Sequence, residues 1–226
     1  MDKVRTVSDS KRDFYTKHTR PINSVYRRVV EELMVEMHLL SVNSDFQYDP
    51  VYALGVVTSF QRFMQGYRPD ADKESIFNAL CQSVGGDPQQ YRQDAERMIE
   101  SAKQLSAQQL LFNLESASDS SSGENQILQT LIGIANAPKY KYTRLFAIGI
   151  YTILAETDPE MLKNTEKREE VVKQIAKVLH LPEEKMQKDL DLYRSNLEKM
   201  DQLLTVIEEA LQADRKKREQ QKIMDN

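Results

Sequence analysis

Helix-breaking residues are scarce in this sequence: its 226 residues include seven glycines and seven prolines. So few interruptions favour long helices over a many-turned β architecture. Cysteine is scarcer still. Cys81 stands alone, which excludes an internal disulfide and fits a reducing compartment. Positive charge is not in excess: 31 Lys and Arg face 35 Asp and Glu, a formal net charge of -4. No general attraction to nucleic acid or to an anionic lipid surface follows from that balance. Long hydrophobic runs are also missing. The longest, LFAIGIYTILA from Leu145 to Ala155, is about half of what a membrane span needs and is read as a buried core helix. The opening stretch MDKVRTVSDSKRDFY has no apolar h-region, and it is too acidic and too short before the first helix for a transit peptide, so no signal or transit segment is expected. The remaining composition, 40% hydrophobic and 29% charged, suits a soluble folded chain rather than a disordered one.

Chemistry-bearing motifs are thin. His18, His38 and His180 are far apart and none belongs to an HExxH pair. Glu32 and Glu36 lie one helical turn apart, but His38 follows Glu36 by only two residues, which fails the Glu-x-x-His spacing of carboxylate-bridged metal sites. They are read as an exposed acidic face. Cys81 falls on an apolar helical face between Leu80 and Val84 and is read as a packed small hydrophobe, not a nucleophile. DSSSGE begins well for a calcium loop at Asp119, yet Glu124 comes too early for the twelfth-position ligand. There is no Walker loop, GxGxxG or GxSxG elbow. No catalytic residue, cofactor or metal is therefore expected. One basic cluster exists, Arg215, Lys216, Lys217 and Arg218, flanked by Asp214 and Glu219. It is too narrow for nucleic acid. A solvated helix tail is one reading of it, and a docking point for an acidic protein or a lipid head group is the other.

Helix starts are written in capping chemistry. Ser10 with Asp13 is expected to open a first helix, Pro21 to sit in the first turn of a second, and Asp72 to open another. Asp49-Pro50, Asp87-Pro88 and Asp158-Pro159 each pair a cap with proline at the first helical position, and Ser106 with Gln109 fits a capping box. The second helix carries Ile22, Val25, Tyr26, Val29, Val30, Leu33, Met37 and Leu40 at helical spacing. Gly66 and Pro69 end the third, and Gly85-Gly86 ends the fourth. SASDSSSG, Ser116 to Gly123, is a low-complexity loop. Two apolar helices, roughly Asn125 to Ala137 and Tyr140 to Ala155, are split by Pro138, and Thr165 to His180 is amphipathic.

The last helix repeats Met186, Leu190, Tyr193, Leu197, Met200, Leu204, Ile207 and Leu211 in alternating steps of four and three. That period marks the seam of a coiled coil or of a long packed helix. ADRKKREQQK beyond Leu211 remains helix-forming sequence. The expected fold is all-α: a bundle of about eight helices over residues 1–181, and a long C-terminal helix over 182–226 that packs on the bundle and then projects.

Several long segments carry a resemblance. TRPINSVYRRVVEELMVEMHLLSVN (Thr19 to Asn43), FQYDPVYALGVVTSFQRFMQGYRP (Phe46 to Pro69), VSDSKRDFY, IFNALCQS (Ile76 to Ser83) and KYTRLFAIGIYTILA (Lys141 to Ala155) resemble the thylakoid formation protein family of cyanobacteria and chloroplasts. Signature positions among them include Pro21, Asn23, Tyr26, Arg27, Arg28, Asp49, Pro50, Phe63, Gly66, Tyr67 and Arg68. Arg27 and Arg28 are placed to pair with Glu31 and Glu32 one turn along. The resemblance implies a non-enzymatic accessory factor of photosystem II assembly and repair and of thylakoid biogenesis. It would act by binding and stabilising FtsH protease complexes and would touch photosystem II indirectly. It implies a peripheral protein, expected to be monomeric, on the cytoplasmic side of a cyanobacterial thylakoid, or the stromal side in a chloroplast. The alternative is a peripheral protein acting directly on thylakoid lipid. Because the chain starts directly at the shared core, a cyanobacterial or a processed protein is expected.

Overall fold

A computed structural model describes residues 5–116 and 125–224, with the side chains at 211 and 214–224 left aside. Among these residues the fold is all α-helical. The chain divides into two compact units, Met1–Leu190 and Asp191–Asn226. Eleven helices are present among the described residues, against the eight or so expected; they include the short α6 (Ala107–Glu115), which starts at the expected capping box, and the single-turn α9 (Pro159–Lys163).

The centre of the first unit is α3 (Pro50–Phe63). Val51 to Val57, Ser59 and Phe60 are all buried, so this helix is enclosed almost all round. It packs most extensively against α8 (Arg144–Thr157) and α5 (Pro88–Ala102). The run from Leu145 to Leu154 is core, as its apolarity suggests. The approach of α3 to α8 is set by glycine. A Cβ at Gly55 would overlap the carbonyl oxygen of Leu145 and press on Gly149 N at 3.1 Å. A Cβ at Gly149 would overlap the carbonyl oxygen of Val51 and meet Val51 Cγ1 at 2.9 Å. The two backbones are therefore in direct contact, which only residues without a side chain permit.

α2 (Ser24–Ser41) and α7 (Gln126–Ala135) also pack on α3, α4 (Asp70–Ser83) packs on α5, α1 (Val7–Lys17) on α4 and α2, and α10 (Thr165–Val178) on α6 and α9. Several caps match the sequence. Asp49 Oδ1 accepts from the Tyr52 N–H at 2.8 Å, Asp87 from Gln89 N–H at 2.9 Å and Asp158 from Met161 N–H at 2.9 Å. Ser106 and Gln109 form the reciprocal capping box. Cys81 is buried, and burial pushes its thiol up to about 12, as befits a core residue.

Other starts differ. The cap of α1 is Thr6, which shares a capping box with Asp9, while Ser10 is buried inside the helix beside His38. The cap of α2 is Asn23, so Pro21 precedes the helix instead of entering its first turn. α4 begins at Asp70, and Asp72 turns inward to an ion pair with Arg20. α8 starts at Arg144, not Tyr140: the Thr143 hydroxyl caps it by accepting from Phe146 N–H at 2.9 Å. Of the serine-rich loop only Ser116, the C-cap of α6, lies among the described residues; Asp119 and Glu124 fall outside them.

The last helix, α11, runs unbroken from Glu183 to Met224. Its seam is buried at Met186, Leu190, Tyr193 and Met200, then half-covered at Leu204 and 41% exposed at Ile207. The coiled-coil reading of this seam finds no support in the single chain, and the long helix does.

Alanine is favoured over glycine in a helix by about 1 kcal/mol, whereas overpacking costs about 1–3 kcal/mol or more. Gly55→Ala and Gly149→Ala are therefore expected to lower unfolding stability in urea. Gly133→Ala, on α7 with open space around it, is expected to raise it by about 0.5–1 kcal/mol.

Candidate functional site

Helix α2 has two faces. Tyr26, Val30, Leu33, Met34, Met37 and His38 are buried, which anchors the helix. On the other side Val35, Leu39 and Val42 recur at spacings of four and three and are 38%, 56% and 44% exposed. They form an aliphatic stripe that the described residues leave partly uncovered. Beside the stripe lies a shallow open cleft of about 680 Å³, lined by Ser24, Arg27, Arg28 and Glu32 at one end and by Val35, Leu39 and Arg144 at the other.

The charges around the stripe are mostly paired. Arg28 Nε meets Glu32 Oε1 at 2.9 Å, an exposed one-turn pair that solvent screens to a weak contact. Glu36 Oε2 meets Arg144 at 2.5 Å, which ties α2 to the first turn of α8. Glu31 instead accepts from Tyr15 OH at 2.8 Å and pairs with Lys11 at 3.0 Å. Burial works to raise its pKa, but these partners hold the carboxyl below the usual range. The acidic face read from Glu32 and Glu36 is thus a braced, nearly neutral surface. An apolar stripe within such a rim is suited to a partner's apolar helix face.

A second polar cluster lies inside. Buried Asp49 accepts from Tyr52 N–H and, through Oδ2, from Tyr140 OH at 2.8 Å. Tyr48 OH donates to Asp94 at 2.7 Å, and Tyr142 OH donates to Asp189 at 2.8 Å. Burial, and then the neighbouring carboxylate, raises the phenol pKa in all three tyrosines, so they stay protonated donors. Tyr140 and Tyr142 brace the backbone before α8, Tyr48 ties the segment before α3 to α5, and none of these pairs resembles an acid–base couple. Among the described residues no group of three His, Cys, Asp or Glu side chains is placed to hold a metal ion.

The basic cluster Arg215, Lys216, Lys217 and Arg218 lies on the helical backbone of α11, but its side chains are outside the described residues. Sequence reasoning passed over the α2 stripe, although a signal was present: Val35 and Leu39 fall off the arc of Leu33 and Met37.

Comparison with known proteins places these features in context. The family model described as thylakoid formation protein matches residues 6–222. Protein Thf1 of Rippkaea orientalis is 59% identical over 222 residues, covering 98% of this chain and 94% of the relative. Protein Thf1 of Crocosphaera subtropica is also 59% identical, covering 99% and 90%. A solved structure of Psb29 aligns with a TM-score of 0.80 at 45% identity, covering 95% of this chain and 98% of that one.

The buried Asp49 carboxyl carries a pH signature. Loss of water pushes it up to about 6 from an ordinary 3.8, against the hydrogen bonds from Tyr52 and Tyr140. The folded state then binds this proton more tightly than the unfolded chain does. Stability contributed by the protonated group is present at low pH and is lost as pH rises from about 4 through about 6. Asp49→Asn keeps a capping acceptor without the charge. Its stability relative to the unmodified protein is expected to improve by roughly 2–3 kcal/mol across that window, read by urea unfolding at stepped pH. Tyr140→Phe removes a donor to the carboxylate and is expected to extend the window to higher pH.

Proposed function

The chain belongs to the thylakoid formation protein family, and from that membership together with the uncovered α2 stripe we propose a non-enzymatic factor of photosystem II assembly and repair that binds and stabilises FtsH protease complexes. The stripe of Val35, Leu39 and Val42 is the observation that carries a binding role. Full burial of an aliphatic side chain contributes about 1.5–3 kcal/mol, and these three, already about half covered, would each contribute roughly half of that, as one part of a larger contact. The basic run Arg215 to Arg218 supplies a second contact, to an acidic partner surface. Among the described residues no helix is long and apolar enough to cross a membrane. Attachment to the cytoplasmic side of the thylakoid, or the stromal side in a chloroplast, then comes through the partner.

Leu39→Arg changes a side chain that is 56% exposed, so unfolding stability is expected to stay within about 0.5 kcal/mol. Recovery of FtsH subunits in affinity isolation from photosynthetic membranes is expected to fall at least about tenfold. Unchanged recovery would remove the stripe from the interface. Truncation after Leu211 tests the basic run in the same assay, with lower recovery and poorer tolerance of strong light expected. Flotation of the purified chain with anionic vesicles, lost on adding salt, would instead favour direct action on lipid.

A further inference from the structure

Helix α1 is a peripheral element with few buried anchors, although Tyr15 and Lys11 also tie it to Glu31 of α2. It rests chiefly on α4 and α2. Phe14, with 0% exposure, is its one large buried apolar side chain. Two buried imidazoles hold it at its edges. Ser10 Oγ pairs with His38 Nδ1 of α2 at 2.9 Å, and His18 Nδ1, at the C-cap of α1, pairs with Ser75 Oγ of α4 at 3.0 Å. His18 is 2% exposed, and its Nε2 has no hydrogen-bond partner among the described residues.

From this geometry we propose that α1 is an acid-released strap: protonation of His18 detaches it from α4 and α2 while the α3–α5–α8 core stays folded. A second proton makes both ring nitrogens donors and gives the ring a charge. In the present site that leaves a charged, buried N–H with nothing to accept it. The groups facing the ring do not compensate. Asp72 of α4 attracts the charged form, but its carboxylate is already paired with Arg20, which repels it. Tyr67, after α3, interacts with the same Asp72 and Arg20, and burial keeps its phenol protonated. Phe14 offers a ring at 6.1 Å. Burial outweighs these charges and holds His18 below the usual imidazole range. The unfolded segment therefore binds the proton more readily. The strap's hold is complete above about pH 6.5 and weakens as pH falls below it. Release exposes Phe14 and uncovers its seat against α4 and α2.

Hydrogen–deuterium exchange on the full chain at about pH 7.5 and about pH 5.5, corrected for intrinsic chemical rates, tests the strap. The opening constant of the α1 amides is expected to rise by up to about tenfold per pH unit from about pH 6.5 down to the folded-state titration and to level off below it, with α3 and α8 keeping their protection. His18→Gln is expected to remove that pH dependence, while Asp49→Asn leaves it in place. Unchanged protection of α1 in acid, loss shared equally by α3 and α8, or loss that persists in His18→Gln and disappears in His38→Gln would overturn the proposal. Should His18→Gln not fold, an NMR titration of the His18 ring in the unmodified chain decides the matter. Its protonation must coincide with the loss of α1 protection, and a ring that charges while α1 stays protected refutes the strap.

Discussion

Backbone meets backbone where Gly55 of α3 lies against Leu145 and Gly149 of α8 lies against Val51. Reciprocal contacts of this kind bring two helices closer than side chains allow, and they fix the position of the most enclosed helix in the unit. α5 packs on that same helix, and α7 packs on α5 in turn. The arrangement draws on dense, short-range dispersion contacts rather than on large side chains alone. A fault at either glycine would be felt throughout the first unit.

Polar groups are arranged by depth around this centre. The buried or half-buried carboxylates Asp49, Asp94 and Asp189 each accept from a tyrosine hydroxyl. The link from Asp49 to Tyr140 spans 91 positions of sequence and secures the strand of backbone before α8. At the surface the pairs are mostly one turn apart and weak, such as Arg28 with Glu32. Strong polar links thus serve the architecture, whereas the outer face of α2 is left with charges satisfied locally and aliphatic carbon uncovered.

Local chemistry was the legible part of the sequence. Asp49-Pro50, Asp87-Pro88, Asp158-Pro159 and the Ser106–Gln109 box act over two or three residues, and each caps a helix as expected. Ser10, Pro21 and Asp72 were misplaced because distant partners decide their roles: Ser10 answers to His38 and Asp72 to Arg20. Tyr140 and Tyr142 are apolar enough to extend a helix, yet their hydroxyls reach carboxylates far along the chain, and the helix waits for the Thr143 cap. The inward face of α2 was plain from its period. The outward stripe was harder to see, because exposed aliphatic residues are common one at a time and gain meaning only when aligned.

The two-sidedness of α2 has an evolutionary consequence. Its anchoring residues and its exposed residues lie on opposite arcs of one cylinder, so changes at Val35, Leu39 or Val42 leave the packing of Leu33, Met34 and Met37 untouched. Effects on binding and on folding are then nearly additive. Selection could retune partner preference by substitution on the outer arc, one lineage at a time, without first acquiring compensating mutations in the interior.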